Sequence, residues 1–264
     1  MNSLQYNVIK DITNVTPALI LNSGDIKFVS PEKNIIGVCS NLKLNEFKKE
    51  VTLLNTNEFL SILSTMGIDS KIDVHYPNIN IKNKNNTTVY VTDNAEYIND
   101  DIKQIDGFLN KVSNDYKFNF NLPVKELDKI IKLHSILNLS SISIKKDNNE
   151  VILNAYSDDM TASSYTVSLP CTGDDYSDTF SVDIESLTKL YKTQDLVYNI
   201  HILDGLIKVQ CDCIPNIDNK MKETELLKEK DKIDDKKYDM TVKYLNKFKD
   251  TTITYYIAGQ IKYN

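Results

Sequence analysis

Lysines at helical spacing are the residues of this chain whose type and arrangement could do chemistry. Lys125, Lys129 and Lys132 follow one another at intervals of four and three, so a helix would hold their three ammonium groups in one stripe. Lys189 and Lys192 repeat the three-residue step, and Lys10 lies on an earlier amphipathic stretch. Such a stripe attracts a polyanion by releasing its counterions, and does so without reading sequence. Glu126 and Asp128 interrupt the longest group and keep its local charge modest. On one helix this pattern describes an ordinary solvated face; here it recurs on three of four similar helices.

Catalytic constellations are thin by comparison. His75, His134 and His201 each stand alone, with no second histidine or cysteine at ligand spacing. The acidic pairs Asp100–Asp101, Asp158–Asp159 and Asp174–Asp175 are adjacent in sequence. On a strand such neighbours point to opposite faces, so they read as turn and loop acids rather than shared metal ligands. Phosphate-binding, dinucleotide-binding, nucleophile-elbow and zinc-protease motifs are all missing. The expectation is a protein without catalysis, cofactor or metal. Cys39, Cys171, Cys211 and Cys213 have no zinc spacing and read as buried, reduced thiols in a reducing compartment.

All 31 basic residues are lysine in a chain of net charge −6. Arginine supplies the bidentate fork that reads guanine, so its absence argues against a sequence-specific DNA reader while leaving point-charge attraction to phosphates. The acidic total argues against coating nucleic acid over the whole surface. Abundant Lys, Asn and Ile fit an A/T-biased genome. The 264 residues, 41% of them hydrophobic, suffice for two ordinary domains. No apolar run is long enough to span a bilayer and no signal peptide opens the chain, so no membrane association is expected.

The elements that must position the lysines repeat. A short amphipathic helix followed by two or three returning strands occurs four times: helices at 7–15, 57–66, 124–137 and 183–192, each leading into hairpins. Val8, Ile9, Ile12 and Val15 stripe the first helix, and Phe59, Leu60, Leu63 and Met66 the second, which Asn55 or Asn57 can cap and Gly67 can stop. Leu127, Ile130, Ile131, His134 and Leu137 line the third; Ile184, Leu187 and Leu190 line the fourth. Residues 93–117 lose periodicity and read as a connector, dividing the chain into domains at 1–114 and 115–264. Residues 216–250, dense in lysine and acid, read as a solvated, partly helical insertion within the last hairpin, without the makings of a core. The predicted class is α+β, two similar domains of two helix-plus-hairpin units each, with helices on one face of antiparallel sheets.

Pro17–Gly24 (PALILNSG), Leu54–Leu63 (LNTNEFLSIL) and Val124–Asn138 with the strands that follow through Asn154 resemble the DNA sliding clamps of T-even bacteriophages, the DNA polymerase processivity factors. The resemblance spans most of 5–211 and returns at 252–259; the connector and the 216–250 segment depart from it. It implies a DNA-clamp fold and a homotrimeric ring with helices lining the hole. The ring would encircle duplex DNA and tether the replicative DNA polymerase, in the cytoplasm of an infected bacterial host. It further implies a clamp loader and, by analogy, late-transcription factors as partners, with Lys10, Lys125, Lys129, Lys132, Lys189 and Lys192 facing the phosphates. The competing expectation is a phage baseplate or tail protein built from repeated hairpins.

Overall fold

The computed structural model describes all residues except 85, 95, 113–114, 158–162, 175, 231 and 263–264, together with the backbone but not the side chains of 97, 99, 261 and 262. The first half runs α1 (Ser3–Ile12), β1 (Leu19–Leu21), β2 (Ile26–Val29), β3 (Ile35–Ser40), β4 (Val51–Leu53), α2 (Thr56–Met66), β5 (Lys71–His75), β6 (Asn78–Asn83), β7 (Asn86–Val91) and α3 (Glu96–Leu109). The second runs β8 (Phe118–Pro123), α4 (Val124–Leu137), β9 (Ser141–Asp147), β10 (Glu150–Tyr156), β11 (Tyr165–Gly173), β12 (Thr179–Asp183), α5 (Ile184–Thr188), β13 (Val197–Ile202) and β14 (Leu206–Asp212). It closes with α6 (Ile217–Glu229), α7 (Asp235–Phe248), β15 (Thr252–Ala258) and β16 (Gln260–Lys262).

Among the described residues, eleven strands form one antiparallel sheet in the order β16-β12-β9-β10-β11-β8-β13-β14-β15-β3-β2. β5-β6-β7 form a second sheet, and β1 pairs with β4. The large sheet joins the two halves of the chain, because β3 pairs with β15 from Thr252–Ser40 to Ile257–Ile35. Strand alternation decides which side is core. On β2, Ile26 and Phe28 are buried, whereas Lys27 and Val29 are only half-buried. Lys27 faces α3, bonding Asp106 at 2.6 Å, and Phe108 of α3 meets Tyr256 edge-on. The connector is therefore a helix laid across the sheet face opposite the core.

α1 begins at Ser3, four residues before the sequence-based start at Asn7. Asn2 and Gln5 form a reciprocal capping box that satisfies two amides the helix would otherwise leave open. Asn55 caps α2 through the Glu58 amide, and Gly67 ends it at φ 101°, a conformation that disfavours any side chain. β4 and β16, three residues each, escaped the sequence reading because such short strands carry no measurable alternation.

The segment 216–250 departs furthest from expectation. It forms two helices, α6 and α7, between the paired strands β14 and β15. Leu245 and Phe248 of α7 are buried in the core, and Ile217, Met221 and Tyr244 pack against it. Apolar residues at intervals of three and four had been hidden by the surrounding charges. All four cysteines are free and buried.

Gly37 has a steric role. The Phe28 ring lies over it so closely that a Cβ would stand 2.1 Å from the ring, and Phe28 itself packs edge-on against the fully buried Tyr255. Gly37→Ala should therefore lower unfolding free energy by about 1–3 kcal/mol through overpacking, measured by urea denaturation. An unchanged midpoint would show that Phe28 has room to move.

Candidate nucleic-acid interface

Four helices lie in a row, in the order α2-α1-α5-α4. The Thr13 hydroxyl at the end of α1 donates to Asn57 Oδ1 of α2 at 2.8 Å. The Asp11 carboxylate of α1 lies against the amide and ammonium of Lys192, just beyond α5, both of which act to lower its pKa. The Lys192 ammonium in turn reaches Asp128 of α4 at 3.5 Å. Helices from both halves of the chain thus share one face, with the sheets behind them.

Each helix turns its apolar stripe to the sheets. On α1 this leaves Ser3, Asn7 and Lys10 exposed; on α2, Asn57, Ser61 and Ser64. On α4, Val124, Leu127 and Ile130 are buried, and Lys125, Lys129 and Lys132 project from the opposite side, in line with Ile136 at 72% exposure. The outer surface of the row thus carries lysine, amide and hydroxyl groups together with the apolar Ile136, and α2 and α5 also expose Glu58 and Glu185.

Lys189 and Lys192 are placed differently from the sequence expectation. α5 stops at Thr188, so Lys189 is its cap and Lys192 lies past it; they do not form a helical stripe. The cause is burial of Leu190 and Tyr191, which draws the chain into the core. Tyr191 is tied there on three sides. Its N–H donates to the Tyr255 hydroxyl at 2.9 Å, its carbonyl accepts from Tyr198 at 2.8 Å, and its own hydroxyl donates to the Cys213 carbonyl at 3.1 Å. Burial pushes the Tyr255, Tyr198 and Tyr191 phenols well above the usual tyrosine range, so all three remain neutral, Tyr198 and Tyr191 donating and Tyr255 accepting.

The charge balance of the row is restrained. Lys129 pairs with Glu126 at 2.7 Å, Lys192 with Asp128 at 3.5 Å, and Lys189 with Glu32 of the β2–β3 turn at 3.8 Å. Glu126 raises the pKa of Lys129, chiefly through their hydrogen bond. Among the described residues, Lys10, Lys125 and Lys132 have no carboxylate within ion-pair distance. The row therefore offers few free cations on a bed of neutral donors, an arrangement suited to loose contact with phosphates. Glu32 as the partner of Lys189 was invisible in sequence, lying 157 positions away.

The remaining candidates do not converge. His75 is exposed beside Asp73 at 3.2 Å, the His134 ring meets the Leu139 carbonyl, and His201 is half-buried against Tyr116. Burial, helped by Lys208, lowers the pKa of His201. Asp100 and Asp101 lie on α3, paired with Lys103 and Lys33. Asp158, Asp159 and Asp175 fall outside the described residues. Among the described residues no three His, Cys, Asp or Glu side chains are grouped to hold a metal, and no helix is long and apolar enough to cross a membrane.

No protein-family model matches the sequence, and no curated protein matches it. Solved structures do. A chain of the PCNA2–PCNA3 complex from Sulfolobus tokodaii superposes with a TM-score of 0.61 at 13% identity, over 97% of this chain and 96% of that one. Proliferating cellular nuclear antigen from Entamoeba histolytica gives 0.58 at 12% identity, over 97% and 95%. A structure of A. fulgidus PCNA bound to the C-terminal region of FEN-1 gives 0.63 at 9% identity, over 99% and 96%. The chain has the sliding-clamp fold.

Asp11 gives this site a pH signature. Burial raises its carboxyl above the usual aspartate value, against the lowering effects of the Lys192 amide, Lys10 and the Lys192 ammonium. A raised folded pKa means that its contribution to stability is fully present below about 3.8 and is lost as pH rises through the folded value. Asp11→Asn keeps an acceptor for the Lys192 amide but cannot ionise. Its melting temperature relative to wild type should therefore rise from no difference near pH 3 to a positive plateau by neutral pH. A difference independent of pH would contradict this.

Proposed function

We propose that this chain is a DNA sliding clamp: copies close into a ring around duplex DNA and tether a replicative DNA polymerase. The carrying observation is the row α2-α1-α5-α4, with polar outer surfaces and unpaired lysines on one face of a clamp-fold wall. Retention by encirclement needs no tight contact, which fits a surface where half of the six lysines are already paired. The baseplate or tail alternative has no counterpart for this row.

The ring is a homotrimer of the T-even bacteriophage type, each chain contributing domains 1–114 and 115–264. This finer reading is supported by the residue resemblance at 17–24, 54–63 and 124–138. It places the protein in the cytoplasm of an infected bacterial host, with a clamp loader and late-transcription factors as further partners. In our reading Lys10, Lys125, Lys129 and Lys132 face the DNA directly, and Lys189 and Lys192 do so after exchanging carboxylate for phosphate. Copies join by strand addition. β7 is paired only to β6 among the described residues and exposes Val89 and Val91 at 53% and 62%. Among the described residues β11 meets β8 only at Cys171–Gly173, which leaves the second edge of the stretch from Tyr165 to Pro170 without a strand partner there. Joining these edges would cover two surfaces that otherwise invite aggregation.

Light scattering should give three times 30.2 kDa for the wild-type protein, and Val89→Lys with Val91→Lys should shift the mass toward the monomer. A stable wild-type monomer at micromolar concentration would refute the ring. Replacing Lys125, Lys129 and Lys132 by alanine should leave the trimer intact while shortening retention on nicked circular DNA; unchanged retention would remove these lysines from the DNA path.

A further inference from the structure

The lysines on α7 form a more uniform basic surface than those of the helix row. Lys236, Met240, Lys243 and Lys247 succeed one another at intervals of four, three and four, so they share one face of α7. Leu245 and Phe248 are buried on the other side. Asp239 borders the stripe, three residues after Lys236 and four before Lys243, but is in ion-pair contact with neither. Lys237 flanks the stripe, bordering a hollow with Lys236, Met240, Thr241 and Tyr244, at whose edge stands the helix cap Asp234. Among the described residues none of these four lysines has a carboxylate within ion-pair distance. The neighbouring helix differs: α6 mixes Lys220, Lys222 and Lys228 with Asp218, Glu223, Glu225 and Glu229, and its Lys228 is taken by Asp235 at 3.2 Å.

Position gives the stripe its meaning. Tyr244, beside Met240 and Lys247 on α7, lies near enough to the Ser3 side chain for Ser3 to lower its pKa against the raising effect of burial. Ser3 is the first residue of the exposed line Ser3, Asn7, Lys10 on α1. The α7 surface therefore adjoins the helix row near the N-terminal end of α1.

We infer that the α7 stripe is a second phosphate-backbone contact, gripping duplex DNA where it leaves the mouth of the ring. This rests on the clamp reading above. The occupant is the polyanion already assigned to the adjoining face. Four lysines without carboxylate partners match successive phosphates, and the continuity with α1 supplies the path. Met240, 64% exposed within the stripe, packs against sugar edges. Contact is independent of sequence, since lysine provides no bidentate fork.

The test is equilibrium binding of a fluorescent duplex between about 50 and 200 mM salt, where each neutralised phosphate contributes about 0.9 to the log–log slope. The quadruple change Lys236→Gln, Lys237→Gln, Lys243→Gln, Lys247→Gln should reduce the slope by at least ~1 and up to about 3. The corresponding Lys→Arg variant should keep the wild-type slope. Light scattering and thermal melting confirm that each variant retains its assembly and fold. A smaller reduction, in a folded variant whose wild type binds duplex, would overturn this inference and leave the clamp standing. Wild-type protein that binds no duplex at any salt would overturn both. Loss of binding to phosphatidylserine vesicles with an unchanged DNA slope would assign the stripe to a lipid surface and likewise overturn it.

Discussion

The hydrogen bonds that pin Tyr191 hold the candidate interface together. Its N–H, carbonyl and hydroxyl are satisfied by Tyr255 on β15, Tyr198 on β13 and Cys213 just after β14. A buried amide without a partner costs about 1–3 kcal/mol, so this residue has one low-energy position. Fixing it fixes Lys192 next door, which lies against Asp11 and whose ammonium pairs with Asp128. One tyrosine in the wall thereby sets the spacing between a helix of the first half and a helix of the second.

The sequence disclosed what periodicity can carry. The stripes on α1, α2 and α4, the Gly67 stop and most hairpins were legible because burial follows the helix and strand periods. The lysines of α4 were correctly placed on the outward face by the same rule. The shortening of α5 was not legible: Leu190 continues its apolar spacing, yet Tyr191 is drawn away by partners far along the chain. Nor was the core role of Leu245 and Phe248, since charge density outweighed two apolar residues in any compositional window. The ion pairs that quiet Lys189 and Lys192 depend on tertiary proximity and leave no local trace.

The electrostatics of the helix row and of α7 differ in kind. In the row, carboxylates accompany half the lysines, so a polyanion must displace an existing partner to gain a contact. Such exchange keeps the net attraction small and its dependence on position weak. On α7, among the described residues, none of the four lysines is in ion-pair contact with a carboxylate, although Lys247 lies over the Phe248 ring at 4.8 Å, so an arriving anion displaces fewer partners there. The acidic total of the chain thus coexists with local surfaces of opposite character.

β3 and β15 are hydrogen-bonded along six residue pairs, from Thr252–Ser40 to Ile257–Ile35. That ladder crosses from one half of the chain to the other, and α3 straps the outer face beside it through Lys27 and Lys33. The two halves cannot swing apart without breaking a continuous run of backbone bonds. Mechanically, the two halves act as one stiff unit, and in the proposed ring such units would serve as arcs. In a ring built of such arcs, compliance resides at the joints between copies, and a gate for a closed or endless strand must open there.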